Sequence, residues 1–178
     1  MTGSHEHADS TPESRSAGAA AVSEAFAFRC GELADVAAIT ALIRRAFEVH
    51  VAGLGRVPRP MLADYRAMLE THDIRVAQDA RGTIVGALVL ELGADHVYID
   101  SVAVEPHLQG RGIGRRLLAL AEEVALERAT PVLRLHVSAL WTANLALYRS
   151  LGYREVSRAP DVNAERLLYE KRIGSEPR

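Results

Sequence analysis

The chain has 178 residues but one cysteine, Cys30, and one lysine, Lys171. A lone cysteine excludes an intrachain disulfide and any cysteine-based zinc site. Basic charge therefore rests on arginine, a bias that reads as bacterial genome composition rather than function. Neither sign of charge dominates: 21 Lys+Arg against 23 Asp+Glu leave a net charge of −2. Nucleic-acid binding thus has no electrostatic footprint. Arg111, Arg115, Arg116 and Arg128 cluster, but a phosphate loop followed by a solvated helix face accounts for them. No apolar run approaches the ~20 residues of a membrane span, and no charged-then-apolar secretion signal opens the chain. The expectation is a cytoplasmic protein with neither membrane nor nucleic-acid partners. Residues 1–24 are Ser-, Ala-, Gly- and Glu-rich without periodicity and read as a disordered tail. His5 and His7 lie there without the further ligands a metal needs, so no metal is expected.

Hydropathy periods divide the rest into one α/β domain over 25–174, followed by a short tail over 175–178. Residues 25–29 alternate as a strand. Val36, Ile39, Ile43, Ala46 and Phe47 keep helical spacing. A loop is expected over 50–60, with Gly53, Gly55, Pro58 and Pro60, and a second helix over 61–70. Strands follow over 74–78, 83–92 and 97–104, with a hairpin turn at Asp79-Ala80-Arg81-Gly82. A helix then runs to about residue 129. A strand over 131–137, a helix over 142–151 closed by Gly152, and strands over 153–158 and 165–172 complete a β-α-α-β-β-β-α-β-α-β-β order. No segment repeats.

The most informative stretch joins a strand to a helix: Gln109-Gly110-Arg111-Gly112-Ile113-Gly114-Arg115. Glycines expose backbone amides, and the helix start adds its positive dipole end, a combination suited to a pyrophosphate. A triphosphate-binding P-loop requires Lys-Ser/Thr after the last glycine, where this chain has Arg115-Arg116. A dinucleotide fingerprint requires G-x-G-x-x-G in an early βαβ unit, whereas these glycines are spaced G-x-G-x-G past the middle of the chain. The remaining pattern, Q/R-x-x-G-x-G/A, is filled completely.

That pattern resembles the GNAT superfamily of acyl-CoA-dependent N-acyltransferases. Two further segments strengthen the likeness in the correct order. Ile99-Asp100-Ser101-Val102-Ala103-Val104-Glu105-Pro106 looks like the family's fourth strand, and Asn144-Leu145-Ala146-Leu147-Tyr148-Arg149-Ser150-Leu151-Gly152-Tyr153 resembles its Asn…Tyr…Gly-aromatic segment. Gly55-Arg56-Val57-Pro58-Arg59-Pro60-Met61-Leu62-Ala63-Asp64-Tyr65 is similar to a signature of one uncharacterised bacterial branch. That branch usually carries Tyr-Thr-Asn after the fifth strand, where this chain has His136-Val137-Ser138.

The resemblance implies a GNAT fold: a mixed, mostly antiparallel sheet splayed between strands 4 and 5 and flanked by about four helices. It implies acetyl-CoA as cosubstrate. The backbone of Val102, Ala103 and Val104 would bond pantetheine like an added strand. Gln109, Gly110, Arg111, Gly112, Ile113, Gly114 and Arg115 would hold the pyrophosphate, with Asn144 bonding the coenzyme nearby. Tyr148 would return a proton to the departing thiolate, against the alternative of plain packing beneath the sheet. Asp100 is the candidate general base; alternation places it with Val102 and Val104 on one face, provided no bulge intervenes. Glu91, His96 and Glu105 are weaker candidates, and His136 reads as a core or rim histidine. Cys30 is expected to pack in the first strand, and Trp141 to pack or to line the acceptor pocket. That pocket is expected from the 50–60 loop, the second helix and the strand after Gly152.

The implied activity is acetyl transfer from acetyl-CoA to a primary amine by direct attack, with a small-molecule acceptor favoured. Protein N-termini or lysines are the alternative acceptors, and a non-catalytic acyl-CoA-binding module is the alternative from another class. A homodimer is compatible with the resemblance.

Overall fold

The computed structural model describes residues 25–174. The two expected tails, and with them His5 and His7, lie outside the described residues. A seven-stranded sheet runs through the domain in the order β1-β2-β3-β4-β5-β7-β6. Its strands are β1 (Ala27–Cys30), β2 (His72–Gln78), β3 (Ile84–Leu92), β4 (Val97–Val104), β5 (Val132–Ser138), β6 (Arg154–Pro160) and β7 (Glu165–Arg172). Every pairing is antiparallel except β4 with β5. Among the described residues four α-helices follow β1 and flank the sheet: α1 (Val36–Leu54), α2 (Tyr65–Met68), α3 (Ile113–Glu127) and α4 (Thr142–Ser150).

The sheet is buried on both faces, as its nearly continuous apolar β3 requires. On one face α3 contributes Ile113, Leu117, Leu118, Ala121 and Val124, and α4 contributes Leu145 and Tyr148, over Leu88, Leu90, Val97 and Ile99. On the other, Ile39, Leu42, Ile43 and Phe47 of α1 and Tyr65 of α2 cover Ile74, Val76, Ala87 and Val89.

Three local expectations need correction. First, α1 does not stop at His50 but continues to Leu54, where Gly55 closes it in the left-handed region at φ 65°. Second, the expected helix over 61–70 shrinks to the single turn of α2. Arg59–Leu62 form a 3-10 turn, and Asp64 restarts the helix by accepting bonds from the amides of Arg66 and Ala67. Third, Cys30 is exposed at the end of β1 rather than packed.

Asp35 sits just ahead of α1, where it binds Arg29 through two bonds of 2.6 and 2.9 Å. The Arg29 guanidinium holds its carboxyl below the usual aspartate range. That pair pins β1 to the start of α1.

Candidate active site

The site begins where β4 and β5 part. Parallel pairing covers only Val97–Leu133, Tyr98–Arg134 and Ile99–Leu135. Beyond Ile99 the two strands continue without each other, so backbone donors and acceptors along the rest of β4 face an opening. The cleft there is lined by Ile99, Asp100, Ser101 and Val102 from β4 and by Leu135, His136, Val137 and Ser138 from β5.

A β-bulge sets the chemistry of this opening. Val89 pairs with Ser101 and Leu90 with Ile99, so Asp100 is the extra residue. Val97 and Ile99 belong to the α3/α4 core and Val102 and Val104 pack against that same core, a three-residue step at the bulge. Asp100 is therefore separated from the face of Val102 and Val104, contrary to simple alternation. It turns instead toward the α1 side, within reach of the charges of Arg59, His72, Glu91 and Arg166. Burial pushes its carboxyl above the ordinary aspartate value, opposed chiefly by Arg59.

The same ladder distinguishes the three backbone candidates. Glu105 donates to Val85 across β3 at 2.8 Å. Antiparallel alternation then directs Ala103 to its β3 partner Ala87 and leaves Val102 and Val104 facing the opening. The Gln109 side-chain amide donates to the Val104 carbonyl at 3.2 Å and ties the loop to that strand edge.

After a 3-10 turn at Pro106–Leu108, the loop runs through Gly110 at φ 79° and Gly112 at φ 87°. These left-handed turns strain any other residue. Gly114 differs: it lies within the first turn of α3, where an added Cβ would meet only Val104 Cγ2 at 3.7 Å. First-turn amides of α3 have no intrahelical acceptor, so they are available to an anion at the helix start. Gln109, Gly110, Arg111 and Arg115 are exposed there, with Arg115 also donating to Ser150 Oγ at 3.0 Å.

Asn144 and Tyr148 enter the cleft from α4, one helical turn apart. Tyr148 is 6% exposed and packs edge-on against Tyr153 with ring centroids 5.8 Å apart. The ring belongs to the core while the residue also lines the cleft, so packing does not remove it from the opening. Burial pushes its phenol up to about 12, against the opposing influence of the Asn144 side chain. The group is thus fully protonated at neutral pH.

Residues 36–153 match the model of the Acetyltransferase (GNAT) family. The chain belongs to that family. Among curated relatives, it is 36% identical over 107 residues to the N-alpha-acetyltransferase RimI of Mycobacterium tuberculosis, covering 58% of this chain and 66% of the relative. It is 33% identical over 119 residues to a mycothiol acetyltransferase of Clavibacter sepedonicus, covering 66% of this chain and 39% of that protein. The chain thus spans about two thirds of the first relative's length and well under half of the second's. A GCN5-related N-acetyltransferase structure from Kribbella flavida superposes with a TM-score of 0.69 at 25% identity, covering 84% of this chain and 99% of that one. The splayed mixed sheet with four flanking helices is the GNAT fold.

Within this GNAT domain the cleft contains further groups to which pattern reading assigned no role in the site, beside two it had weighed, His136 and Trp141. Tyr98 and His136 face each other across the parting strands. Arg59 reaches the cleft from the 3-10 turn and Arg166 from the start of β7. Arg56 pairs with Asp161 at 2.5 Å, joining the α1–α2 connection to the β6–β7 turn. Trp141 does line the cleft; it also stacks on His50 at 4.3 Å and meets Phe47 edge-on at 5.8 Å. A cleft thus lies where the acceptor pocket was expected. Residues 56–60 contribute to it, whereas the α2 helix is absent from its lining and β6 contributes only through Asp161 in the turn that follows it. Arg59 lies inside the branch signature over 55–65, which assigned it no role; Tyr98 and Arg166 belong to no family motif, and only their polar character within apolar strands hinted at them.

Among the weaker base candidates, Glu105 is engaged by Arg45 at 2.9 Å, and His96 contacts Asp95 at 2.7 Å. Glu91 lies on the Asp100 side, close enough to raise that carboxyl further.

Proposed function

We propose that this chain transfers an acetyl group from acetyl-CoA to a primary amine by direct attack, with a small molecule as acceptor. The observation that carries the reading is the loss of β4–β5 pairing beyond Ile99 and Leu135, beside a loop of left-handed glycines and below Tyr148. An extended, amide-bearing pantetheine arm fits the open edge at Val102 and Val104 as an added strand. One of those amides would polarise the thioester carbonyl. Backbone amides of residues 109–115 would receive the pyrophosphate, and Asn144 would bond the coenzyme at the cleft.

The proton accounting uses two groups. Asp100, directly or through a water, takes the proton that the amine must lose as its nitrogen bonds the acetyl carbon. The C–S bond breaks, and Tyr148 supplies a proton to the sulfur. A phenol near 12 is a weaker acid than a thiol at ~8.5. Transfer to the thiolate is therefore uphill by about 5 kcal/mol; Tyr148 donates a hydrogen bond that stabilises the sulfur as it gains charge, and the proton it passes is restored from solvent.

A compact acceptor is supported by the Arg56–Asp161 ion pair, which links the two segments bordering the acceptor side. A protein N-terminus is the competing acceptor, supported by the similarity to an N-alpha-acetyltransferase. Thiol release from acetyl-CoA, followed with a panel of small amines and of short peptides, tests both. Turnover confined to peptides overturns the small-molecule choice. Acetyl-CoA binding without turnover on any amine or peptide indicates a non-catalytic binding module and overturns the reaction.

A further inference from the structure

Five charged side chains line the cleft: Arg56, Arg59, Arg166, Asp100 and Asp161. Arg56 and Asp161 neutralise each other as an ion pair. Arg59 and Arg166 remain, and neither forms a salt bridge among the described residues; in the lining Asp100 is the carboxylate left to oppose them, with Glu91 behind it. They come from separate elements, the α1–α2 connection and β7, yet they converge. Both influence Asp100, Tyr98 and His136, which places the two guanidinium groups around one space.

An ammonium or neutral monoamine entering this space meets two positive charges and one negative one. Proton transfer from the amine to Asp100 conserves the net charge, so the positive charge of the two guanidinium groups stays in the space throughout the reaction. An anionic group on the acceptor itself removes the conflict. Guanidinium groups are suited to it, because their planar forks bind carboxylates in a defined orientation. Such an anchor at Arg59 and Arg166 would direct the amine back toward Asp100 and the β4 edge.

With acetyl transfer taken as the reaction, we propose that the acceptor is a small amine bearing a carboxylate on the same molecule, held by Arg59 and Arg166. The Tyr98 hydroxyl, beside Arg166, adds a further polar contact for the anion.

The test follows thiol release from acetyl-CoA with the full chain and matched triplets: an amino acid, its carboxamide and the decarboxylated amine. The expected result is a preference of about tenfold or more in kcat/KM for the acid over its amide, expressed mainly in KM. Arg59→Gln and Arg166→Gln each collapse that ratio toward one, while Arg166→Lys retains part of it as a point charge. Acetyl-CoA affinity measured on each variant reports whether the fold survives, and the two arginines on separate elements give independent readings. Equal use of acid and amide, or a ratio that survives both Gln substitutions, overturns the proposal and leaves acetyl transfer standing. Acetyl-CoA binding with no thiol release on any amine overturns acetyl transfer itself.

Discussion

The Tyr98 hydroxyl and His136 Nδ1 share a hydrogen bond of 2.9 Å across the mouth of the cleft. Tyr98 stands on β4 one residue before pairing ends and His136 on β5 one residue after, so the side chains bridge what the backbones no longer do. Burial, with Arg166 and Arg59, holds His136 below the ordinary imidazole value. The ring is therefore neutral at pH 7. Losing one neutral bond costs about 0.5–1.5 kcal/mol, or roughly two- to tenfold in affinity. Tyr98→Phe should raise the KM for the amine by about that factor with little effect on acetyl-CoA binding. A double-mutant cycle with His136→Ala should return a coupling of similar size. Additive single effects would show that the bond carries no weight in acceptor binding.

Asp100 must be ionised to accept a proton, and burial raises its pKa above the usual aspartate value. The sign follows directly: kcat/KM should rise with pH through that elevated pKa and flatten above it. Asp100→Asn should cost on the order of 10²-fold or more in kcat and remove this acid limb. Arg59 is the largest influence lowering that carboxyl, so Arg59→Gln should move the acid limb to higher pH. A limb unmoved in Arg59→Gln and retained in Asp100→Asn would assign the base elsewhere.

Element types and order were legible because each segment's period agrees with its burial. Val36, Ile39, Ile43 and Phe47 keep helical spacing and face the sheet, and the β3 run of apolar residues is buried on both sides. The errors have physical causes. Gly53 inside α1 costs ~1 kcal/mol of helix propensity and reads as a loop, yet Leu54 continues the buried stripe and His50 stacks on Trp141, 91 residues away in sequence. The bulge at Asp100 is set by cross-strand register with Val89 and Leu90, which no local pattern encodes. The glycine loop over 109–115 is a contiguous motif and stands out in the sequence, whatever it binds. The acceptor side draws Arg59, Tyr98, His136, Asp161 and Arg166 from separate segments and appears only when the chain is folded.

Asp35 couples stability to pH through a carboxyl shifted downward, where that of Asp100 is shifted upward. Its carboxyl is held below the usual value by Arg29, so its contribution is present above the unfolded carboxylate pKa and is lost as pH falls through the lowered folded value. Asp35→Ala also removes the acceptor for the Glu32 amide at 2.8 Å. Unfolding in urea should show a loss of about 1–3 kcal/mol at pH 7, shrinking in strong acid. An undiminished difference at low pH would mean that packing, rather than charge, is what Asp35 supplies.

Tyr148→Phe keeps the ring that packs against Tyr153 and Tyr169 and removes only the hydroxyl. Acetyl-CoA affinity and stability should stay close to wild type, while kcat falls by about 10²-fold. Because the phenol lies near 12, the wild-type profile should show no Tyr148 limb in the accessible alkaline range. A full wild-type rate in Tyr148→Phe would return the residue to a packing role alone.

Gly110 tests the donor site without touching the acceptor side. A Cβ there meets no atom within 4 Å, so a substitution is limited by the left-handed backbone at φ 79° rather than by space. Gly110→Ala should therefore cost about 1–2 kcal/mol of local strain and weaken acetyl-CoA binding modestly. Gly110→Asp adds a negative charge where the pyrophosphate is expected and should weaken it by a further order of magnitude or more, in a salt-dependent way. Calorimetric titration with acetyl-CoA compares the two. The difference between Ala and Asp isolates charge from strain, because both share the same backbone penalty. Equal affinities in the two variants would remove the phosphate from this loop.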